Sequence, residues 1–225
     1  MLNWLGLAIE FVFIFAVIGL AQLLWRGGIV TSTVSRKIIH IGVAHWWLLA
    51  MYFHDSALFA AVGPVVFIVL NYYSHITGLF GAMEDEAART NLGTVYFPIS
   101  LLVLVFLTYS GPVPVYVGGI GILILGYGDG LASLVGRAVS SRAVPIFGGV
   151  KSLAGTSTML IASAAVTVLF TQAFNPTYGS DLGTLLVAAG FTAAAATLVE
   201  FVTPYGLDNL TVPIVTTLFY NGVFV

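Results

Sequence analysis

The segment GILILGYGDGLASLVGR, residues 121–137, decides the fold, because it ends a long apolar run and yet carries an aspartate between two glycines. The run that contains it, 113–136, exceeds the ~20 apolar residues that a helix needs to cross the hydrocarbon of a bilayer. A charged side chain in a spanning helix costs about 2.5–3.5 kcal/mol at the bilayer centre and less near the interface. Asp129 lies toward one end of the run, so it indicates a functional site near a membrane surface.

The composition predicts an integral membrane protein. The chain of 225 residues is 59% hydrophobic and 7% charged, whereas soluble domains carry about 25% charged residues. It has no cysteine, which excludes disulfides and thiolate metal sites, and its net charge of −2 gives no indication of nucleic-acid binding. The first apolar run lacks a basic leading region and a small-residue cleavage site, so we expect a retained helix with no soluble domain before or after the membrane part.

Apolar segments follow one another along the chain, separated by turns rich in glycine and proline. Seven have the length of a membrane span, and an eighth of ~24 Å either crosses or re-enters the bilayer. The segments are 4–25, 36–53, 57–74, 94–110, 113–136, 152–173, 183–202 and, as the eighth, 210–225. No alternating pattern of the kind a barrel needs is present. The sequence predicts an all-α, polytopic transmembrane bundle of seven to eight spans in a single domain, 1–225.

Most of the charges lie on one side of this arrangement, and only Glu10, Asp55 and Asp181 are left for the other side. All seven basic residues fall in the first, third and fifth connections: Arg26, Arg36, Lys37, Arg89, Arg137, Arg142 and Lys151. The positive-inside rule places those connections in the cytoplasm and the N-terminus outside. The orientation of the protein in the membrane explains the position of the basic residues. It does not explain the acids beside them, because acidic residues contribute little to membrane orientation. One polar face and one nearly bare face favour an enzyme for a charged cytoplasmic reactant over a pore.

The first candidate site is the wall around Asp129. Structure alone could account for a carboxylate here, either through an Asp129–Arg137 pair or because the end of the helix is solvated. The alternative is a carboxylate on a glycine-rich wall, with Gly128 and Gly130, where an anion and its metal come close. Carboxylate oxygens are what Mg²⁺ takes beside phosphate oxygens. Small residues here also let neighbouring helices approach closely.

A second candidate is IFGGVKSLAGTST, 146–158, in which Gly148 and Gly149 precede Lys151 and Ser152. We expect Lys151 and Ser152 to open a helix. A lysine there opposes the helix dipole unless an anion binds at the helix start. The spacing excludes a Walker A loop. Lys151 is therefore either an interfacial anchor or a phosphate ligand.

A third candidate is SRKIIHIGVAHWW, 35–47. Arg36 and His40 share a helix face at i,i+4, and Lys37 reaches His40 at i,i+3. Two cations and an imidazole there would stabilise phosphate charge, although Arg36 and Lys37 also serve as topology markers. We interpret His45 as a packing or hydrogen-bonding residue.

Two further stretches carry polar residues next to apolar runs. The first, EDEAARTNLGTVYFP at 84–98, contains an acidic run that suits a solvated loop, followed by Arg89 and Asn91. The second, VEFVTPYGLDNLTVP at 199–213, contains Glu200, Asp208 and Asn209. Asp208 suits a helix cap, whereas Glu200 inside a membrane helix is harder to explain by structure alone.

Taken together, these motifs resemble the polyprenol (dolichol) kinase, phytol kinase and CTP-dependent diacylglycerol kinase family. The matching pieces are RKIIH (36–40), RTNLGTVYFP (89–98), GYGDGLASLVGR (126–137), GGVKSLAGT (148–156) and VEFVTPYGLDNLTVP (199–213). The resemblance implies a multi-span enzyme that phosphorylates the hydroxyl of a membrane lipid, typically with CTP. The chain lacks the extra spans of long dolichol kinases and looks more like the compact phytol or prenol kinases. The polar motif positions carried over are Arg36, Lys37, His40, Asp129, Lys151, Glu200 and Asp208.

The expected reaction is transfer of the terminal phosphoryl group of CTP to an isoprenoid alcohol, at the cytoplasmic interface of the cell membrane. We expect Asp129 and either Glu200 or Asp208 to hold Mg²⁺. The proton acceptor is left open among Asp208, Asp129 and His40. The expected nucleotide and phosphate ligands are Arg36, Lys37, Arg89, Asn91, Gly128, Gly130, Arg137, Gly148, Gly149, Lys151, Ser152 and Asn209.

Three alternatives remain at this point: a CTP-dependent diacylglycerol kinase, a CTP–lipid cytidylyltransferase and a small transporter. The first two would handle the same nucleotide and Mg²⁺. A nearly bare outer face argues against the transporter. The sequence leaves the oligomeric state open, since the glycine seams can pack within or between chains.

Overall fold

A computed structural model of the chain describes residues 2–77, 92–146, 149–179 and 181–225. The predicted site residues Arg89, Asn91 and Gly148, and the acidic run 84–86, lie outside the described residues. The helices are α1 (Leu2–Arg26), α2 (Ser32–Ala44), α3 (Trp46–Phe53), α4 (Ala57–Thr77), α5 (Gly93–Tyr109), α6 (Val115–Leu123), α7 (Gly130–Ala138), α8 (Leu153–Phe174), α9 (Pro176–Gly179), α10 (Leu182–Val202) and α11 (Asp208–Phe224). A π-helical turn, Ile124–Asp129, joins α6 to α7.

The eight predicted apolar segments all contain helix. Within the described residues, five helical stretches are long and apolar enough to cross a membrane: Leu2–Arg26, Ala57–Thr77, Val115–Ala138, Leu153–Phe174 and Leu182–Val202. Helix α5 is apolar but shorter, with 17 residues. The prediction of a helical membrane protein is confirmed. The count of seven to eight spans and the outside N-terminus stay predictions.

The stretch Val115–Ala138 is the central helix of the bundle. In its apolar 18-residue window 78% of the residues are buried, against 28% in Leu2–Arg26. Its neighbours supply large buried side chains such as Trp46, Trp47 and Leu104. The central position follows from the sequence GGIGILILGYGDG, because small residues let the surrounding helices approach its backbone. Asp129 is thereby placed inside the protein and away from lipid.

The predicted span 36–53 is divided into α2 and α3 at His45. The His45 Nδ1–H donates to the Ile41 carbonyl (2.9 Å), and Tyr127 OH donates to His45 Nε2 (3.0 Å). A side chain that bonds to a carbonyl of its own helix competes with the helix ladder. The interpretation of His45 as a hydrogen-bonding residue agrees with these contacts.

A short hairpin, which the sequence reading missed, precedes α8. Strand β1 (Ala143–Ile146) pairs antiparallel with β2 (Gly149–Ser152), and Val144 lies opposite Lys151. The expectation that Lys151 and Ser152 open a helix is therefore wrong in detail. Lys151 belongs to β2, and α8 begins at Leu153, where the Ser152 hydroxyl accepts a hydrogen bond from the Gly155 N–H (3.1 Å). An N-cap residue has extended backbone, so Ser152 can end the strand and start the helix.

Two glycines set the distance between the central helix and α2. A Cβ added at Gly126 would lie 2.5 Å from the Ala44 Cβ, and one at Gly130 would lie 2.6 Å from Ile41 Cγ1. Atoms this close would force α2 away, because packed cores absorb extra methyl groups only by strain. The two glycines therefore bring α2, with Lys37 and His40, against Asp129.

The first prediction concerns this contact. Gly126→Ala is expected to destabilise the folded protein by about 1–3 kcal/mol, because the added methyl group meets Ala44. Thermal unfolding in detergent measures the effect. The control is Gly190→Ala in α10, where an added Cβ meets nothing within 4 Å among the described residues. Equal melting temperatures for the two variants would contradict the assigned role of Gly126.

Candidate active site

Asp129 lies at the end of the π-helical turn and is 8% exposed. Lys37 Nζ donates to its Oδ2 at 2.7 Å, and His40 Nε2 lies 3.3 Å from the same oxygen. His40 Nε2 also lies 3.2 Å from the Leu125 carbonyl oxygen. A π turn adds one residue to a helical turn and is frequent at functional sites. Here it carries the carboxylate that meets α2, so the alternative Asp129–Arg137 pair is replaced by a pair with Lys37.

The second charged pair joins the hairpin to α10. Lys151 Nζ donates to Glu200 Oε1, and Glu200 is 4% exposed. Burial alone lowers the pKa of the Lys151 ammonium, but the charge and hydrogen bond of Glu200 outweigh burial, so the pKa of Lys151 lies above its ordinary value. Lys151 is therefore charged at neutral pH. This partner explains how a membrane helix holds a glutamate.

Asp208 approaches the same place as the first residue of α11, just before the predicted eighth span. Tyr205 and Gly206 both have left-handed backbone (φ 57° and 77°), and they turn the chain back. Asp208 Oδ1 accepts from the Asn209 backbone N–H (3.0 Å) and side-chain amide (3.2 Å). Burial and the nearby Asp129 carboxylate raise the pKa of Asp208 to about 6. The N-cap of α11 is Leu207, so the cap role predicted for Asp208 is wrong.

The three carboxylates meet. One oxygen from each of Asp129, Glu200 and Asp208 lies within 4.8 Å of the others. The sequence predicted Asp129 with either Glu200 or Asp208, and the structure brings all three together. Two of the three acids pair with lysines, Asp129 with Lys37 and Glu200 with Lys151. Hard oxygens at this spacing are a donor set that fits Mg²⁺.

A cavity of about 380 Å³ opens beside this cluster. One end is polar and includes Arg36, Lys37, His40, Asp129 and Arg137. The other end is apolar and is lined by side chains of α1, α4 and α5, together with Trp46 of α3. Of the three clustered carboxylates, Asp129 is the one that lines the cavity. A pocket with polar groups at one end and apolar walls suits an amphipathic ligand.

The remaining predicted site residues divide into two groups. Arg36, Arg137 and Asn209 line the cavity with Lys37 and His40, and Arg137 Nη1 donates to Thr33 Oγ1 at 3.0 Å. The other group lies elsewhere: Gly128, Gly130, Gly149 and Ser152.

The four residues outside the cavity make helix contacts or local hydrogen bonds in the structure. A Cβ at Gly128 would lie 2.5 Å from Met159 Sδ, so Gly128 packs against α8, as Gly130 packs against α2. Gly149 is exposed in the hairpin, and the Ser152 hydroxyl serves as the cap of α8. Both glycines lie in helix contacts, since helix backbones approach most closely at glycine, and the phosphate-binding role predicted for Gly128 and Gly130 stays a prediction.

Sequence reasoning missed two cavity residues on α4, Asn71 and His75. Asn71 is 8% exposed, and its Nδ2 donates to the Thr94 carbonyl at 2.7 Å. A signal was available, because a polar amide inside the predicted span 57–74 is costly in a membrane and marks a functional or structural contact.

The fold and the buried cluster define a class: a polytopic helical membrane protein with an enzyme-like site of acids and lysines beside a lipid-sized cavity. Protein-family models do not match the chain, and no solved structure matches it. Curated relatives do match.

Three relatives carry the assignment. The chain is 33% identical over 215 residues to the phytol kinase of Synechocystis sp., covering 96% of the chain and 90% of that protein. It is 30% identical over 211 residues to "Probable phytol kinase, chloroplastic" of Triticum aestivum, covering 84% of the chain and 67% of that protein. It is 31% identical over 205 residues to "Probable phytol kinase 2, chloroplastic" of Glycine max, covering 84% and 65%. The chain belongs to the phytol kinase family, which confirms the resemblance inferred from its motifs. These relatives support a role as a lipid-alcohol kinase.

Proposed function

We propose that this protein transfers the terminal phosphoryl group of CTP to the hydroxyl of a membrane isoprenoid alcohol of the phytol or prenol type. The observation that supports the proposal is the position of Asp129 between two features of the site. This carboxylate belongs to the acidic cluster with Glu200 and Asp208, and it also lines the amphipathic cavity. A charged reactant on one side and a lipid alcohol on the other would meet at one side chain. Membership in the phytol kinase family supports the same activity.

The nucleotide side is assigned to the acidic cluster and its lysines. Asp129, Glu200 and Asp208 would hold Mg²⁺, which when bound would neutralise the negative charge of the phosphate groups. Lys151 lies beside Glu200, and Lys37 lies beside Asp129. Phosphoryl transfer depends mostly on positioning and charge neutralisation. These two lysines, with Arg36 and Arg137 at the polar end of the cavity, supply positive charge around the transferred group.

The acceptor side is assigned to the cavity. An alcohol with its chain in the apolar end presents its hydroxyl to Asp129, Lys37 and His40 at the polar end. Among the three proton acceptors left open by the sequence, we favour Asp129, because it lines the cavity and Asp208 does not. His40 contacts the same Asp129 oxygen and would orient it. Transfer of the hydroxyl proton to a positioned carboxylate is ordinary general-base catalysis.

We further propose that the protein lies in the cell membrane with this site facing the cytoplasm and its N-terminus outside. Four of the basic residues of the predicted odd connections lie at the site: Arg36, Lys37, Arg137 and Lys151. The positive-inside rule assigns that end to the cytoplasm, where CTP is available.

One experiment tests the activity and separates the alternatives. The purified protein in detergent is given CTP or ATP with phytol, geranylgeraniol, longer polyprenols or diacylglycerol. We expect CDP and a prenyl monophosphate, with CTP preferred over ATP. Turnover of diacylglycerol alone identifies the diacylglycerol kinase, and release of pyrophosphate from CTP and a lipid phosphate identifies the cytidylyltransferase. Solute flux into proteoliposomes without nucleotide would identify a transporter. Any of these three results overturns the proposal.

A second prediction concerns metal binding and pH. The raised pKa of Asp208, about 6, means that its carboxyl is charged above that pH and takes up a proton as the pH falls through it. A bound cation must displace this proton, so apparent affinity falls by about tenfold per pH unit below pH 6. Titration of the metal-free protein with Mn²⁺ as a spectroscopic substitute for Mg²⁺, at pH 5, 6 and 7, measures this. Affinity that stays constant from pH 7 to pH 5 would contradict the assignment, and Asp208→Asn should bind more weakly with a shallower pH dependence.

A further inference from the structure

A further buried charged pair lies apart from the acidic cluster and the cavity. Glu10 of α1 is 1% exposed, and its Oε1 lies 2.9 Å from Nε2 of His54, the residue that follows α3. Neither residue belongs to the cluster of carboxylates or to the cavity lining. From Glu10 to Ala21, whose carbonyl accepts from the Ser35 hydroxyl of α2 (3.0 Å), α1 rises ~16 Å. An ionisable residue inside a spanning helix is costly and marks a functional contact.

The pair joins three helices that line the cavity. His54 lies between α3 and α4, and both helices supply residues to the cavity wall. Glu10 lies on α1, which supplies Ile14 and Ile18. These three α1 residues repeat every four positions, so they share one face of the helix. A displacement of Glu10 relative to His54 would therefore move one wall of the cavity relative to two others.

Helix α1 is peripheral, and its N-terminal half packs closely at this junction. In its apolar window 28% of the residues are buried, against 78% in the central helix. A Cβ added at Gly6, one turn before Glu10, would lie 2.4 Å from the Phe53 Cβ and 3.1 Å from His54 Cε1. The pair and this glycine contact together fix where α1 meets the end of α3.

Hydrogen bonding shows that the pair holds a proton. Asn3 Nδ2 donates to Asp55 Oδ1 (2.8 Å), and the Asp55 N–H donates to Asn3 Oδ1 (3.3 Å), so the amide oxygen is the atom that faces His54. The His54 Nδ1–H therefore donates to that oxygen (3.2 Å). A neutral imidazole would then present a lone pair at Nε2, which repels a carboxylate 2.9 Å away. One further proton must lie on Nε2 or on Glu10.

Tyr109 of α5 also lies near this pair. Its hydroxyl is buried within electrostatic range of Glu10, yet neither that hydroxyl nor Glu10 Oε2 has a hydrogen-bond partner among the described residues. Compensation of the Glu10 carboxyl therefore depends on His54. Separating the two would leave one member of a buried pair uncompensated, which opposes any movement of α1 away from the junction.

We infer that Glu10 and His54 are positioning residues: the protonated pair holds α1 against the connection between α3 and α4, and so keeps the cavity wall in place for the lipid alcohol. This inference rests on the proposed function, in which the cavity takes the acceptor. Neither residue lines the cavity, so the pair acts through Ile14 and Ile18 of α1. It should affect binding of the alcohol and leave binding of the nucleotide unchanged.

The kinetic test compares two replacements of Glu10 that have nearly the size of glutamate. Glu10→Gln can donate to the His54 Nε2 lone pair, so KM for geranylgeraniol should stay within about threefold of the parent. Glu10→Met cannot, and this KM should rise about tenfold or more, because small misplacements of a positioning element have large effects. KM for CTP should stay within about twofold in both variants. The control, Gln172→Met at an exposed position of α8, should leave both constants unchanged.

A crosslinking test reads the position of α1 without turnover. The chain has no cysteine, so Phe15→Cys with Phe67→Cys introduces a single pair of thiols. The two ring centroids lie 6.0 Å apart, between α1 and α4. Disulfide formation should be severalfold slower when Glu10→Met is added and unchanged when Glu10→Gln is added.

The shared proton has a spectroscopic signature. Nitrogen NMR of protein with isotope-labelled histidine, with the His54 signal identified by its loss in His54→Gln, should show a protonated Nδ1. Either Nε2 is protonated as well, or an infrared band of a protonated carboxyl group disappears in Glu10→Gln.

Three results would overturn the inference. They are a raised alcohol KM in Glu10→Gln as well as in Glu10→Met, a parental alcohol KM and crosslinking rate in Glu10→Met, and an unprotonated His54 Nε2 beside an ionised Glu10. If the parent phosphorylates no alcohol while crosslinking and spectra are as expected, the proposed function fails and the anchoring of α1 by the pair stands.

Discussion

Asp129→Asn is expected to lower kcat by about 10³-fold or more, with little change in the folded structure. One Asp129 oxygen accepts from Lys37 at 2.7 Å, and the carboxylate also belongs to the cluster with Glu200 and Asp208. Asparagine keeps the size of the side chain but removes the charge. Loss of one preorganised electrostatic contact typically costs 10²–10³ in kcat, and here one residue is assigned both a metal contact and the hydroxyl proton.

The measurement is steady-state phosphorylation of geranylgeraniol or phytol by the variant in detergent, with thermal unfolding as the check on folding. The matched control is Asp181→Asn. Asp181 is an exposed aspartate that caps α10, and its side chain accepts from the Gly183 N–H. Asparagine is an equally good cap, so that variant should keep parental activity and stability. Turnover by Asp129→Asn within threefold of the parent would remove Asp129 from the mechanism.

The second large effect is expected at Lys151. Lys151→Ala leaves Glu200, 4% exposed, without its lysine partner. Breaking a buried ion pair by removing one member destabilises a protein by about 3–5 kcal/mol, because the other charge stays buried. Activity should fall by about 10²–10³-fold as well, since the assigned phosphate contact is lost.

A double variant separates these two consequences. In Lys151→Ala with Glu200→Gln both charges are gone, so thermal stability should recover most of its loss, while activity stays low because the contacts assigned to Lys151 and to Glu200 are both lost. Arg26→Ala at the exposed end of α1 is the matched control for removing a basic side chain. Parental activity in the double variant would show that the pair is only structural and would exclude Lys151 from phosphate binding.

Much of the fold follows from local properties of the sequence. Runs such as 57–74 and 183–202 are apolar for the length of a bilayer, and both form helices, Ala57–Thr77 and Leu182–Val202. Where the sequence prediction failed, the cause was a contact made elsewhere. At the break between α2 and α3, His45 bonds both to the Ile41 carbonyl of its own helix and to Tyr127, which is 82 residues away in the sequence. The hairpin at 143–152 depends on β pairing between segments with no alternating pattern.

The candidate site was predictable in its residues but less so in their pairing. Asp129, Glu200, Asp208 and Lys151 are recognisable because charges in or next to membrane spans are costly. Their partners are not, since Lys37 and Asp129 are 92 residues apart and Lys151 and Glu200 are 49 apart. Gly128 and Gly130 show the limit of a sequence pattern. A glycine-rich segment is equally consistent with ligand approach and with helix packing, and only the structure shows that Met159 and Ile41 pack against these two glycines.

The sequence by itself determined that this is a helical membrane protein, which residues carry charge, and which family its motifs resemble. Those are properties of composition, segment length and order along the chain, and they need no knowledge of neighbours. Only the tertiary structure decided that Lys37 pairs with Asp129, that three carboxylates converge, and that a cavity lined by polar and apolar side chains opens beside Asp129. These features are set by how helices from distant parts of the chain pack, and packing depends on the shapes of both surfaces in each contact.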